Sequence, residues 1–223
     1  RFEKGCLRMC RRGWNIVLAL WLGLMPATAQ AGNPEDKFVR LDGGVLLYDT
    51  ETIPGDPDAE IEKDDIAILR RYLVEDADIT TLRLYSYGGS VWAGFRMADI
   101  IIDFDLDTEV VDDCASACTL MFLAGKGRRM ERGARLGFHN WKWSKAAITS
   151  FYERRKDMDG WQDPFDFAAL IYVDTQIETH DMLSYQLERG MDPTFAIELL
   201  WKGRDGLHYP RRAELQAAGV LRD

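Results

Sequence analysis

The sequence predicts an α/β domain in which parallel strands are joined by helices, and three observations carry that prediction. Apolar residues alternate with polar ones in short runs such as Thr81-Leu82-Arg83-Leu84-Tyr85-Ser86, the period-two pattern of a strand. Other stretches carry apolar residues at helical spacing, as at Ile61, Ile66, Leu69, Tyr72 and Leu73. The two kinds follow one another as strand, helix, strand, helix, an order that calls for right-handed crossovers between parallel strands.

In order, residues 38–48 read as a first strand or hairpin broken at Gly43-Gly44, and 49–58 as an acidic loop containing prolines. Residues 61–74 form the first helix, 81–86 a strand, 95–102 a helix rich in Ile and Met, 108–111 a strand, and 119–124 a short buried helix. Residues 141–166 are aromatic and charged, interrupted by Gly160 and Pro164. They read either as a wall or lid for a substrate or, as favoured here, as an oligomer contact or a cap over the core. Residues 167–189 predict a long amphipathic helix with Leu170, Ile171, Val173, Ile177, Met182, Tyr185 and Leu187 largely inward. No internal repeat stands out.

The chemistry concentrates in Asp112-Asp113-Cys114-Ala115-Ser116-Ala117-Cys118 and in Leu136-Gly137-Phe138-His139-Asn140. A serine hydroxyl is a poor nucleophile at neutral pH unless an imidazole takes its proton, so Ser116 and His139 form a candidate pair. The other two histidines, His180 and His208, lie outside any such motif. Alanines flank the serine, so the segment is not the Gly-x-Ser-x-Gly elbow of α/β-hydrolases. Upstream, Gly88 and Gly89 follow a strand end, where bare backbone lets a ligand approach. Their N–H groups and that of Ala117 are candidate oxyanion donors.

The N-terminal part reads as a secretory signal over residues 1–31: basic Arg11-Arg12, an apolar run at 14–25, and the small-residue end Ala29-Gln30-Ala31, with Gly32 as the expected mature N-terminus. Met9 is the natural start. The apolar run is short for a membrane span, which needs ~20 residues, so membrane attachment follows only if this segment is retained as an anchor. What remains, 32–223, fits one domain. The chain carries a formal charge of −9, and its leader is basic, so the remainder is more acidic still; nucleic acid and anionic membrane surfaces are excluded as partners. Cys6 and Cys10 fall in the leader. Cys114 and Cys118, left together in an oxidising compartment, are expected to form a disulfide, with two buried thiols as the alternative. No ligand set at metal spacing is evident, and no motif calls for a cofactor.

Taken together, the motifs resemble the ClpP family of serine peptidases, in the ClpP/crotonase superfamily, over residues 38–223. Ser86-Tyr87-Gly88-Gly89-Ser90-Val91 is similar to the family's Ser-Pro-Gly-Gly-Ser-Val, with Tyr87 in place of its proline. Cys114-Ala115-Ser116-Ala117-Cys118 stands where its Ala-Ala-Ser-Met segment stands, and Gly125-Lys126-Gly127-Arg128-Arg129 resembles its Gly-x-x-Gly-x-Arg. Arg135-Leu136-Gly137-Phe138-His139-Asn140 resembles the Ile-His-Gln strand, and residues 211–221 the Ser-x-x-Glu-Ala-x-x-x-Gly-Leu-Ile tail. The resemblance implies a repeated ββα coil with a mostly parallel sheet flanked by helices, a homo-oligomer, and cleavage of peptides or proteins, and with the leader it makes an exported, periplasmic-type enzyme the expectation. It also implies an acid to orient His139, which counting places at Gly203 or near Leu200. Neither is acidic, so Asp205 is expected in that role, ahead of Glu198 or a backbone carbonyl. Three alternatives accompany this reading: a lysine base as in the related signal peptide peptidase A group (Lys126, Lys142, Lys145 or Lys156), a catalytically weak or inactive scaffold of the cell envelope, and an acyl-CoA crotonase.

Overall fold

A computed structural model describes residues 33–222, and the leader with its expected cleavage site lies outside them. A six-stranded sheet runs through the molecule in the order β1-β2-β3-β4-β5, with β6 also paired to β4. β1 (Phe38–Leu41) and β2 (Val45–Asp49) form an antiparallel hairpin. Gly43 and Gly44 turn it with φ of 74° and 76°, values that favour glycine. Every later pairing is parallel, β2 with β3 (Thr81–Ser86), β3 with β4 (Asp107–Ala115), and β4 with both β5 (Arg128–Met130) and β6 (Arg135–Gly137).

Helices cross between the strands: α1 (Lys63–Glu75) joins β2 to β3, α2 (Val91–Asp103) joins β3 to β4, and α3 (Cys118–Ala124) joins β4 to β5. Ser90 caps α2 by accepting a hydrogen bond from the Ala93 amide. The core lies where α2 and α3 pack on the sheet, filled by Leu82, Leu84, Met97, Ile101, Met121 and Phe122. Burial of each such side chain contributes about 1.5–3 kcal/mol relative to exposure.

The nine residues of β4 serve two partners in succession, Thr108 to Val110 against β5 and Asp113 to Ala115 against β6. Between them the β3 register shifts, so that Leu84 faces Val110 but Ser86 faces Cys114. This bulge re-aims the end of β4.

A buried polar network holds the other side of the future site. The Lys37 amine, 3% exposed, donates to the Glu60 carbonyl at 2.6 Å and to the carboxylates of Glu62 and Asp65 at 2.9 and 3.2 Å. Tyr48 donates to the same Asp65 at 2.7 Å. Burial pushes the Asp65 carboxyl up, opposed by these hydrogen bonds. The segment so anchored carries Ile61, whose N–H donates to the Gly88 carbonyl and whose carbonyl accepts from the Ser90 N–H, both at 2.8 Å.

The C-terminal half departs from expectation in two ways. Residues 145–159, read above only as part of an aromatic, charged segment, form α4 (Lys145–Asp159), capped by Ser144 and ended by Gly160 at φ 73°. The long helix α5 (Pro164–Glu188) has only Phe167 and Gln186 buried, and Leu170, Val173, Ile177 and Leu187, expected inward, are exposed. α4 is held to α5 by aromatic packing: Tyr152 stacks on Trp161 with centroids 6.0 Å apart, and Trp161 meets Phe167 at 4.9 Å. Two further helices, α6 (Pro193–Lys202) and α7 (Arg212–Ala217), close the chain against the sheet, with Leu199 and Leu215 in the core. Among the described residues no helix is long and apolar enough to cross a membrane.

Candidate active site

Ser116 lies in the short turn between β4 and α3, at φ 55°, a left-handed conformation that a residue with a Cβ adopts at a cost of about 1–3 kcal/mol. Its surroundings over-determine it. The Ser116 N–H donates to the Gly137 carbonyl at 2.9 Å, and the Ser116 carbonyl accepts from the Thr119 N–H at 3.0 Å and hydroxyl at 2.7 Å. On either side, Cys114 and Cys118 are joined in a buried disulfide with their Cα atoms 5.3 Å apart. The turn is therefore closed covalently as well as by hydrogen bonds.

His139 follows β6, and its Nε2 lies 2.7 Å from the Ser116 Oγ. Its Nδ1 lies 2.8 Å from the backbone carbonyl oxygen of Asn140. A carbonyl only accepts, so Nδ1 carries the proton, and the neutral form of the ring presents a lone pair at Nε2 to the serine hydroxyl. Asn140 is itself fixed from α6: its N–H donates to the Gly203 carbonyl at 3.1 Å and its side-chain amide to the Leu200 carbonyl at 2.9 Å.

Asp205 is not part of this arrangement. Its carboxylate is 82% exposed and pairs with Arg204 at 3.2 Å, while Nδ1 of His139 is already engaged by Asn140. Glu198 pairs with Lys202. The position that counting assigns to the acid, Gly203, lies against the histidine but has no room for a side chain: a Cβ there would fall 2.8 Å from the His139 Cα. Of the lysines weighed as a base, Lys126 and Lys156 pair with Asp105 and Glu153. His180 is exposed beside Asp181, and His208 pairs its backbone with Phe138.

The paired glycines come close because they lack side chains. A Cβ on Gly88 would meet the Ser116 Cβ at 2.6 Å, and one on Gly89 would meet the Ile61 backbone at 2.5 Å. Their amides differ. The Gly88 N–H donates to the Ser86 Oγ at 3.1 Å and so is engaged, whereas those of Gly89 and Ala117 find no acceptor among the described residues. Tyr87, standing before the glycines, donates its hydroxyl to Asp113 at 3.0 Å, which raises the phenol to about 12. Asp113 in turn accepts two hydrogen bonds from Arg135 at 2.7 and 2.6 Å, which hold its carboxyl below the usual range although burial opposes them. Arg135 lies 4.6 Å from the Tyr209 ring centroid.

Beside the serine is a narrow cavity of about 20 Å³, lined by Ser116, His139, Thr119, Leu120, Trp141, Met182, Gln186 and Leu199 among others. Trp141 alone of the aromatic segment borders it. A backbone carbonyl stood as a lesser candidate beside His139, and Asn140 supplies it. Which residue does so was missed, because a carbonyl has no residue signature. Gln186, unforeseen from the sequence, borders the cavity from α5, far along the chain.

No protein-family model matches the chain, and no curated protein matches it. Among solved structures, a point mutant of ClpP1 from Listeria monocytogenes is similar, with a TM-score of 0.54 and 16% sequence identity, over 81% of this chain and 90% of that one. The fold is ClpP-like. At such identity the likeness concerns the fold, and the chemistry has to be argued from the side chains.

Proposed function

We propose that the chain is an exported ClpP-like serine peptidase that cleaves peptide bonds through an acyl-enzyme. The observation that carries this is the 2.7 Å approach of the Ser116 Oγ to a His139 Nε2 whose tautomer is set by a carbonyl at Nδ1. As Oγ bonds to the scissile carbonyl carbon, its proton passes to Nε2 and the carbonyl electron pair moves onto oxygen. The resulting oxyanion accepts hydrogen bonds from the Gly89 and Ala117 amides. Collapse expels the amine, which takes the proton from Nε2, and water then repeats the sequence to release the acid and free the serine. The Asn140 carbonyl steadies Nδ1–H throughout, with a dipole rather than a full charge, so the site works as a Ser-His pair without a carboxylate.

Ser116→Ala is expected to abolish fluorophosphonate labelling and peptide cleavage while leaving the melting temperature near that of the parent. His139→Ala should be nearly as damaging and not additive with it. An intact, well-folded chain that never takes the probe would instead favour the envelope scaffold, a reading motivated by the missing carboxylate. Export is supported by the buried Cys114–Cys118 disulfide, since such bonds persist in oxidising compartments. N-terminal sequencing of the protein from an envelope fraction is expected to begin at Gly32, and an uncleaved leader would make it membrane-anchored. Assembly into a homo-oligomer acting on peptide or protein substrates belongs to the same proposal.

A further inference from the structure

Trp141 borders two hollows, the narrow cavity beside Ser116 and a more open cleft of about 440 Å³. The walls of the cleft are aromatic: Trp92 and Phe95 come from the start of α2, and Trp141 and Trp143 from the segment after His139. Trp92 and Trp143 are 52% and 49% exposed, so ring surface is open to a ligand. Phe95 meets Trp141 edge-on at 6.0 Å and Trp143 meets Phe151 at 5.3 Å, contacts that hold the walls in place. Glu178 and Asp181 of α5 also border the cleft. With Asp174 they follow one another at i, i+4 and i+7, one face of the helix, where like charges destabilise each other. Among the described residues no Lys or Arg pairs with any of the three, and Asp181 has only the neighbouring His180 at 3.0 Å. Desolvation first and the Asp174 charge second push the Glu178 carboxyl up, as expected of a carboxylate without a cation beside it.

We infer that this cleft binds the arginine side chain of a peptide. The inference deepens the peptidase reading, on which it rests for treating that peptide as the substrate. Arginine suits both parts of the cleft. Its aliphatic stem buries against indole and phenyl surface while the charged end reaches the acids. Its guanidinium is flat, stacks on aromatic faces and offers paired donors to a carboxylate, whereas an ammonium is a compact point charge. An apolar side chain would fill the walls but leave Glu178 and Asp181 as unpaired as before, and an acidic one would be repelled. Two cations of the chain stand nearby. Arg96 lies 6.0 Å from the Trp92 ring centroid, but Asp99 holds it at 3.1 Å and it does not border the cleft. Lys142 does border it, without an ion pair among the described residues, and so offsets one of the two acids. The chain as a whole is acidic at −9, which draws a cationic peptide in.

The test is fluorescence anisotropy on the mature protein carrying Ser116→Ala, which keeps the peptides intact, with labelled hexapeptides identical except for a central Arg, citrulline, norleucine or Glu. The Arg peptide is expected to bind about tenfold more tightly than the citrulline peptide, which has its shape without its charge, and the Glu peptide most weakly. Glu178→Gln with Asp181→Asn should abolish the preference for Arg, Trp143→Leu should weaken it several-fold, and Lys142→Met should strengthen it. Asp64→Asn with Glu75→Gln on α1 makes the same change of charge at residues that do not border the cleft, and should leave the preference intact. A preference unchanged in Glu178→Gln with Asp181→Asn, citrulline or norleucine bound as tightly as Arg, or no peptide bound at all overturns the inference. Binding is read without turnover. A parent that a fluorophosphonate never labels, but whose Ser116→Ala form prefers Arg, would therefore lose the peptidase reading and keep the arginine site.

Discussion

At the scale of single residues, the orientation of His139 depends on Asn140 and Gly203 more than on any acid. A triad aspartate does two things, fixing the tautomer and balancing the imidazolium, and its loss costs up to ~10⁴-fold where it has been tested. Here a backbone carbonyl at 2.8 Å does the first. Asp205→Asn is therefore expected to leave peptide turnover within about threefold of the parent. Gly203→Ala should reduce it by orders of magnitude, because the added Cβ would press on the His139 and Asn140 backbone at 2.8 and 3.3 Å. Steady-state kinetics on one peptide checks both, and a large loss in Asp205→Asn would return the carboxylate to the mechanism. Much of the site was legible: a serine flanked by small residues and one histidine in a matching motif do meet in space. The third partner was not, since a carbonyl belongs to every residue and leaves no trace in the sequence, although the glycine at the counted position already signalled that no side chain stands there.

Between elements, the end of β4 is tied to its neighbours by Asp113, which joins Tyr87 after β3 to Arg135 of β6. This linkage sits where the family pattern resembled above has a proline, so a hydrogen-bonded tyrosine holds the approach to Gly88-Gly89 in place of a rigid ring. Arg135 and Tyr87 depress the Asp113 carboxyl. A depressed carboxylate contributes its stabilisation fully above its unfolded value near ~4, and the contribution is lost as pH falls through the folded value. Urea denaturation is expected to find Asp113→Asn less stable than the parent at pH 7, with the gap closing below about pH 4 as the parent's own carboxylate protonates. An equal gap at pH 7 and pH 3 would show that the charge contributes nothing. The order of strands and helices through α3 was legible because each strand's period-two run and each helix's stripe faces one core. By contrast α4 has no buried residue and hence no apolar stripe to read, only its Ser144 cap and Gly160 stop. The first half of α5 misled for the opposite reason: its apolar residues lie outside the core of this chain.

On the scale of the whole molecule, those same residues bear on assembly. Phe165, Leu170, Tyr172, Val173 and Ile177 are exposed along α5, Phe165 by 81% and Tyr172 by 73%, and nothing else in the described chain covers them. Leu170, Val173 and Ile177 recur at helical spacing, so they form one stripe rather than scattered contacts. Contiguous exposed apolar surface of this kind suits an interface, and between copies of an acidic chain it would act against charge repulsion. The α4 and α5 aromatics pack on one another, so they stiffen the stripe's support rather than cover it. The proposed homo-oligomer places this stripe between copies. Sedimentation velocity on the mature protein should therefore give a species larger than a monomer, more populated at higher salt as like charges are screened. Val173→Glu with Ile177→Glu adds two charges per copy at the seam and is expected to leave a folded monomer that still takes the fluorophosphonate at Ser116. The two positions lie outside the residues that border the serine's cavity, which keeps the readouts independent. If the double variant assembles like the parent, the stripe is not the contact between copies, and a monomeric parent would remove the homo-oligomer altogether.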